Sequence, residues 1–109
     1  MDTIKYEDFA KAELVIGTIV EAKLHPNADK LLVLAVNIGT ETRQIVAGIS
    51  KHYTPEELKG QQIVVVLNLE PRALRGEMSH GMLLATSDDE GNLALIQPGK
   101  IMKAGSRVK

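Results

Sequence analysis

The chain has 109 residues, 44% of them hydrophobic and 25% charged, with 13 Lys/Arg against 14 Asp/Glu and a formal net charge of −1. That length suits one domain spanning 1–109 with a single core, and leaves little room for an enclosed active site. The absence of cysteine excludes disulfides, thiolate zinc sites and a cysteine nucleophile. No apolar run approaches the ~20 residues of a membrane span, and Met1–Lys5 lacks the apolar core of a signal peptide. The expectation is a cytoplasmic protein without a membrane partner.

Charge is unevenly placed. Residues 1–70 hold seven Lys/Arg and ten Asp/Glu, whereas residues 71–109 hold six and four. A surface for anions must therefore be a local patch rather than a global field.

In chain order, Tyr6 to Lys11 suits a short N-terminal helix with Tyr6 and Phe9 on one face. Leu14 to Leu24 reads as a strand broken by Gly17, a sign of a bulge or sharp bend. His25-Pro26-Asn27-Ala28-Asp29 is a turn into a second strand, Leu31 to Ile38, and Gly39–Thr42 connects to a third, Arg43 to Ala47. Thr54-Pro55-Glu56-Glu57 is a capping box, with Thr54 as N-cap, Pro55 at the first helical position and Glu57 reaching back; Gly60 stops the helix. Gln62 to Asn68 is a fourth strand, Pro71 to Gly76 a basic turn, and Met82 to Thr86 and Leu93 to Ile96 are the last strands. Short strands with a small helix between the third and fourth predict an all-β fold, a five-stranded Greek-key barrel of the OB type.

Ser79 beside His80 invites a catalytic reading, but neighbours on a strand point to opposite faces and no third orienting residue follows. His25, His52 and His80 lack metal-ligand spacing. We expect no enzyme activity, no metal and no cofactor.

The motif series resembles a known family. Its markers are His25-Pro26-Asn27-Ala28-Asp29-Lys30-Leu31, Ile45-Val46-Ala47-Gly48-Ile49, Tyr53-Thr54-Pro55-Glu56-Glu57-Leu58, Asn68-Leu69-Glu70-Pro71-Arg72, Leu74-Arg75-Gly76 and Ser79-His80-Gly81-Met82-Leu83-Leu84-Ala85. From about Asp8 to Val108 the chain is similar to the tRNA-binding domain. That domain occurs as a free-standing protein, at the C-terminus of methionyl-tRNA synthetases, in synthetase cofactors and in CsaA-like export chaperones. The chain departs from the family pattern in Glu13-Leu14-Val15-Ile16-Gly17, which lacks an Arg before Val-Gly, and in His80, where the family has Gln or Glu.

The resemblance implies tRNA binding, without base specificity, by a module that assists a methionyl-tRNA synthetase catalytic domain in cis or in trans. The alternative it leaves open is a chaperone for unfolded preproteins. Lys30 is a candidate phosphate contact and Asn27 a candidate for a 2′-hydroxyl or base edge. Arg72 and Arg75, with Asn68 before them, form the most basic turn, and Arg suits bidentate phosphate contact. Lys51 extends the patch, Ser79 and His80 supply polar contacts, and Met82 is either an apolar contact or core. Tyr6, Phe9 and Tyr53 lie off the binding strands, so base stacking on aromatics is not expected and folded RNA fits better. The family also implies a homodimer, with Leu93, Leu95, Ile96, Ile101 and Met102 lining its interface or filling the core.

Overall fold

The computed structural model describes residues 1–109. Two single-turn helices, α1 (Tyr6–Phe9) and α2 (Pro55–Leu58), accompany ten strands. These are β1 (Leu14–Leu24), β2 (Leu32–Asn37), β3 (Thr42–Ala47), β4 (Gln62–Val66), β5 (Arg72–Leu74), β6 (Glu77–Ser79), β7 (Met82–Leu83), β8 (Ala85–Ser87), β9 (Leu93–Leu95) and β10 (Arg107–Val108).

The long strand β1 organises the barrel. Its first half pairs with β4, from Leu14↔Val66 to Thr18↔Gln62, and its second half pairs with β2, from Thr18↔Asn37 to Leu24↔Leu32. The sheet order is β3-β2-β1-β4-β7, all antiparallel, with β10 added at Leu14–Val15. Curvature comes from the change of partner at Gly17–Thr18 and from a register shift between Ile19 and Glu21. Gly17 faces the interior at the tightest point. A Cβ there would lie 2.5 Å from Val36 Cγ1 and 3.2 Å from Val65 Cγ2.

Alternate residues fill the barrel: Val15 and Ile19 from β1, Leu32, Leu34 and Val36 from β2, Ile45 and Ala47 from β3, Ile63 and Val65 from β4. Leu58 of α2 is wholly buried and belongs to the same core. The capping box that orients α2 is present, with Thr54 Oγ1 accepting from the Glu57 N–H at 3.3 Å and Glu57 Oε2 accepting from the Thr54 N–H at 3.1 Å. The expected five-stranded barrel, with a helix between its third and fourth strands, is the fold observed.

Two local readings change, and one strand goes unread. The basic turn 71–76 is the tip half of a hairpin, because β5 and β6 pair from Arg72↔Ser79 to Leu74↔Glu77. The strand expected over 82–86 divides at Leu84, where the chain changes partners from β4 to β9. There the Leu84 N–H donates to Val64 O at 3.1 Å and the Leu84 carbonyl accepts from Ile96 at 3.0 Å. The two-residue β10 was too short to show a period.

In the β8–β9 turn the Asp88 carboxylate accepts hydrogen bonds from the Asn92 amide side chain, the Asn92 N–H and the Glu90 N–H. The Asn92 side chain contributes most to holding this carboxyl below its usual value. The contribution is therefore present above the ordinary carboxylate range and is lost as the pH falls through the lowered value.

Gly17→Ala is expected to lower the unfolding free energy by about 1–3 kcal/mol, as overpacking of a filled core does. Urea unfolding checks this by a fall in midpoint at constant slope.

Candidate nucleic-acid interface

The β1–β2 loop and the β5–β6 hairpin are separated by some forty-nine residues in sequence and are joined by one buried side chain. His25 is 6% exposed. Its Nδ1 accepts the Asn27 N–H at 2.9 Å, which leaves Nε2 to donate to the Leu74 carbonyl at 2.9 Å. The ring is thus the neutral Nε2–H tautomer. It shapes its own loop with one nitrogen and holds the hairpin with the other.

Arg75 completes the junction by donating from Nη2 to Asn27 O at 3.2 Å. Arg75 and Gly76 form the two-residue tip of the hairpin, with φ of 54° and 94°. Both central residues of such a turn need positive φ, which Asn-Gly or Gly-Gly supplies cheaply. Arg75 is the sole non-glycine residue of the chain in that region. A long cation thus occupies an exposed tip in a conformation that non-glycine residues disfavour.

Two cations, Lys30 and Arg75, meet at this junction. An open cleft is lined by Asn27, Ala28, Asp29, Lys30, Leu31 and Arg75. Lys51 follows Ser50 in sequence, and Ser50 is bonded to this loop: its Oγ donates to Asp29 O and its N–H donates to Lys30 O at 3.4 Å. Arg72 lies down the hairpin, about 10 Å from the tip. The three ion pairs of the chain are Lys11–Asp8, Arg43–Glu41 and Lys59–Glu21. Lys30, Lys51, Arg72 and Arg75 are therefore exposed and free of any carboxylate partner, with Asp29 the one acidic side chain in the cleft.

The other expected site residues are placed differently. Ser79 is buried, and its hydroxyl is used inside the fold, accepting the Val46 N–H at 3.0 Å and donating to Gly81 O at 2.9 Å. Asn68 ties the N-terminal segment down, its Oδ1 accepting the Glu13 N–H at 2.8 Å and its Nδ2 donating to Lys11 O. His80 is exposed and lines a separate cleft with Glu41, Thr42, Arg43, Leu67, Leu69 and Pro71. Met82 is 47% exposed and is surface rather than core.

Sequence reasoning passed over His25 as mere turn, although it opens the most specific of the motifs. It also passed over Arg43, whose Nη1 donates to Leu67 O at 2.8 Å and His80 O at 3.3 Å.

A barrel whose first loop and fourth-to-fifth-strand connection converge on a cationic rim is the arrangement that OB-folds use for nucleic acids. Residues 14–107 match the family described as "Putative tRNA binding domain". The chain is 51% identical over 109 residues to a methionine–tRNA ligase of Pyrococcus horikoshii, and 46% identical over 106 residues to one of Bacteroides fragilis. It covers 100% and 97% of itself in these matches but spans only 15% and 16% of the ligases. A solved MetRS-related protein from Pyrococcus horikoshii superposes with a TM-score of 0.93 at 33% identity over the whole of both chains. Chaperone CsaA of Bacillus anthracis gives 0.89 at 32%, covering 99% of this chain and 100% of its own. The chain belongs to the tRNA-binding domain family.

Arg75→Asn is expected to leave thermal stability unchanged or raise it by up to about 1 kcal/mol, since Asn-Gly suits the turn better. A melting temperature several degrees lower would show that the Arg75–Asn27 contact, not its charge, explains the residue.

Proposed function

We propose that the chain grips the folded body of tRNA by its phosphates, without reading sequence, through Lys30, Lys51, Arg72 and Arg75, with Asn27 placed for a 2′-hydroxyl. The observation that carries this reading is that Lys30, Arg72 and Arg75, all free of carboxylate partners, sit on two loops that His25 ties together, with Lys51 on the loop that Ser50 bonds to the first of them. A chain of net charge −1 has no general attraction for polyanions, so the local cluster must supply the field. The module is non-catalytic. It holds tRNA for a methionyl-tRNA synthetase, as an appended domain or as a separate chain, and its similarity to the ligases of two distant organisms supports that role.

A homodimer doubles the cluster. Ile4, Tyr6 and Phe9 before β1 are exposed, as are Ile96, Ile101 and Met102 near the C-terminus, whereas Leu95 is core and Leu93 packs against it. Six exposed large apolar residues on two terminal segments suit a face covered by a second copy. Two clusters on one L-shaped RNA gain avidity through effective concentration. A chaperone for unfolded polypeptides is the second reading, favoured by the whole-chain similarity to CsaA.

Two outcomes are expected. Filter binding of tRNA across a salt series should give a log–log slope that flattens by about one unit with Lys30→Ala or Arg75→Ala. An unchanged slope, or displacement of tRNA by unfolded polypeptide at moderate salt, counts against the reading. In sedimentation, Phe9→Asp together with Ile101→Asp should convert a dimer to a monomer; a wild-type monomer would remove the dimer from the account.

A further inference from the structure

The barrel is not closed by a strand ladder. Between β3 and β7 the seam is bridged at one end by the His80 N–H donating to Gln44 O at 2.8 Å and by Ser79 Oγ on the Val46 N–H. Beyond that bridge the seam opens into a cleft of about 270 Å³ lined by Val46, Ala47, Gly48, Ile49, Met82, Leu83, Ala85 and Leu93. At its wall Gly48 makes no hydrogen bond within the protein through either its N–H or its carbonyl. Val46 already turns its N–H to the seam, and Gly48 follows two residues later with the same strand parity.

We propose that this cleft takes one unstacked base of the bound RNA, held by the Gly48 N–H and carbonyl against the thioether of Met82 and the side chains of Ile49, Ala85 and Leu93. The inference rests on the RNA-binding reading and deepens it. Three observations favour a base. The cleft has room for a single ring system, and its walls are apolar around one donor–acceptor pair, the pattern that a base edge complements. It adjoins the cationic cluster, because Gly48 lies between this cleft and the β1–β2 loop: a Cβ on Gly48 would meet Leu31 at 3.8 Å and Lys30 O at 3.9 Å. A nucleotide whose base enters the seam therefore has its phosphate on the Lys30–Lys51 side. An extended peptide fits less well, since strand addition needs a run of free edge groups, and the Gln44 carbonyl and Val46 N–H are already engaged.

The test uses the full chain and compares tRNA binding by wild type, Ala85→Trp and Arg75→Ala across a salt series. Ala85 is exposed on β8, so Trp can fill the cleft from its rim without entering the core; matching melting temperatures confirm folding. Ala85→Trp should bind tRNA about tenfold more weakly at every salt concentration with the wild-type slope, because it removes an apolar contact and no phosphate contact. Arg75→Ala should lower the slope instead. Titration with adenosine and cytidine 5′-monophosphates should shift the Gly48 amide and Met82 methyl resonances in wild type and not in Ala85→Trp. Wild-type affinity in Ala85→Trp overturns the base slot alone, as does loss confined to unfolded polypeptide. Salt-independent or absent tRNA binding by wild type overturns the RNA reading and the slot with it.

Discussion

An imidazole can accept a hydrogen bond on one nitrogen while donating on the other, and His25 uses both at once. Nδ1 fixes the turn that presents Asn27 and Lys30, and Nε2 fixes the hairpin that presents Arg72 and Arg75. The neutral ring holds its acceptor and its donor on separate edges of one rigid plane. Long cationic side chains on independent loops would meet a ligand only after losing much freedom. The buried ring ties the two loops to each other, and for the proposed RNA contact that would be preorganisation of a charged surface.

The same hairpin decides which parts of the barrel surface stay open. In an OB-fold the outer face of the second and third strands commonly receives the ligand. Here Val33 and Val46 are cross-strand partners that lie outside the core cluster by strand alternation, yet they are only 4% and 6% exposed. The hairpin lies over this row, with Ser79 bonded to Val46, the Gln44 side chain bonded to Met78 O, and Leu74 O bonded to His25. The hairpin covers part of this face, while the hairpin tip, the β1–β2 loop and the turn carrying Lys51 stay exposed. The seam and the hairpin are physically linked, since the hydroxyl that bridges the seam belongs to the hairpin that carries Arg72 and Arg75.

Much of this was legible in residue order. The capping box and the alternation in β2 and β3 are local chemistry and appear where the sequence puts them, whereas the irregularity expected at Gly17 falls two residues on, between Ile19 and Glu21. The tRNA-binding class came from the motif series, not from composition. What the sequence concealed lies in long-range pairings. Ser79 and Asn68 look like surface donors until their partners, Val46 and Glu13, are brought 33 and 55 residues nearer by the fold. The hairpin at 72–79 was hidden because its tip carries Arg75 where turn chemistry favours Asn or Gly. His25 read as part of a turn because Leu74, its second partner, is 49 residues away.

The most direct test of the clamp is a double-mutant cycle between His25→Ala and Arg75→Ala, read out as tRNA affinity with thermal melts as the folding control. If His25 acts by holding the hairpin in place, its loss frees Arg75 from the cluster. Removing Arg75 should then cost much less in the His25→Ala background than in wild type, giving a coupling of at least about 0.5 kcal/mol. Additive losses would contradict the account, because they would mean that the arginine finds the RNA without the histidine.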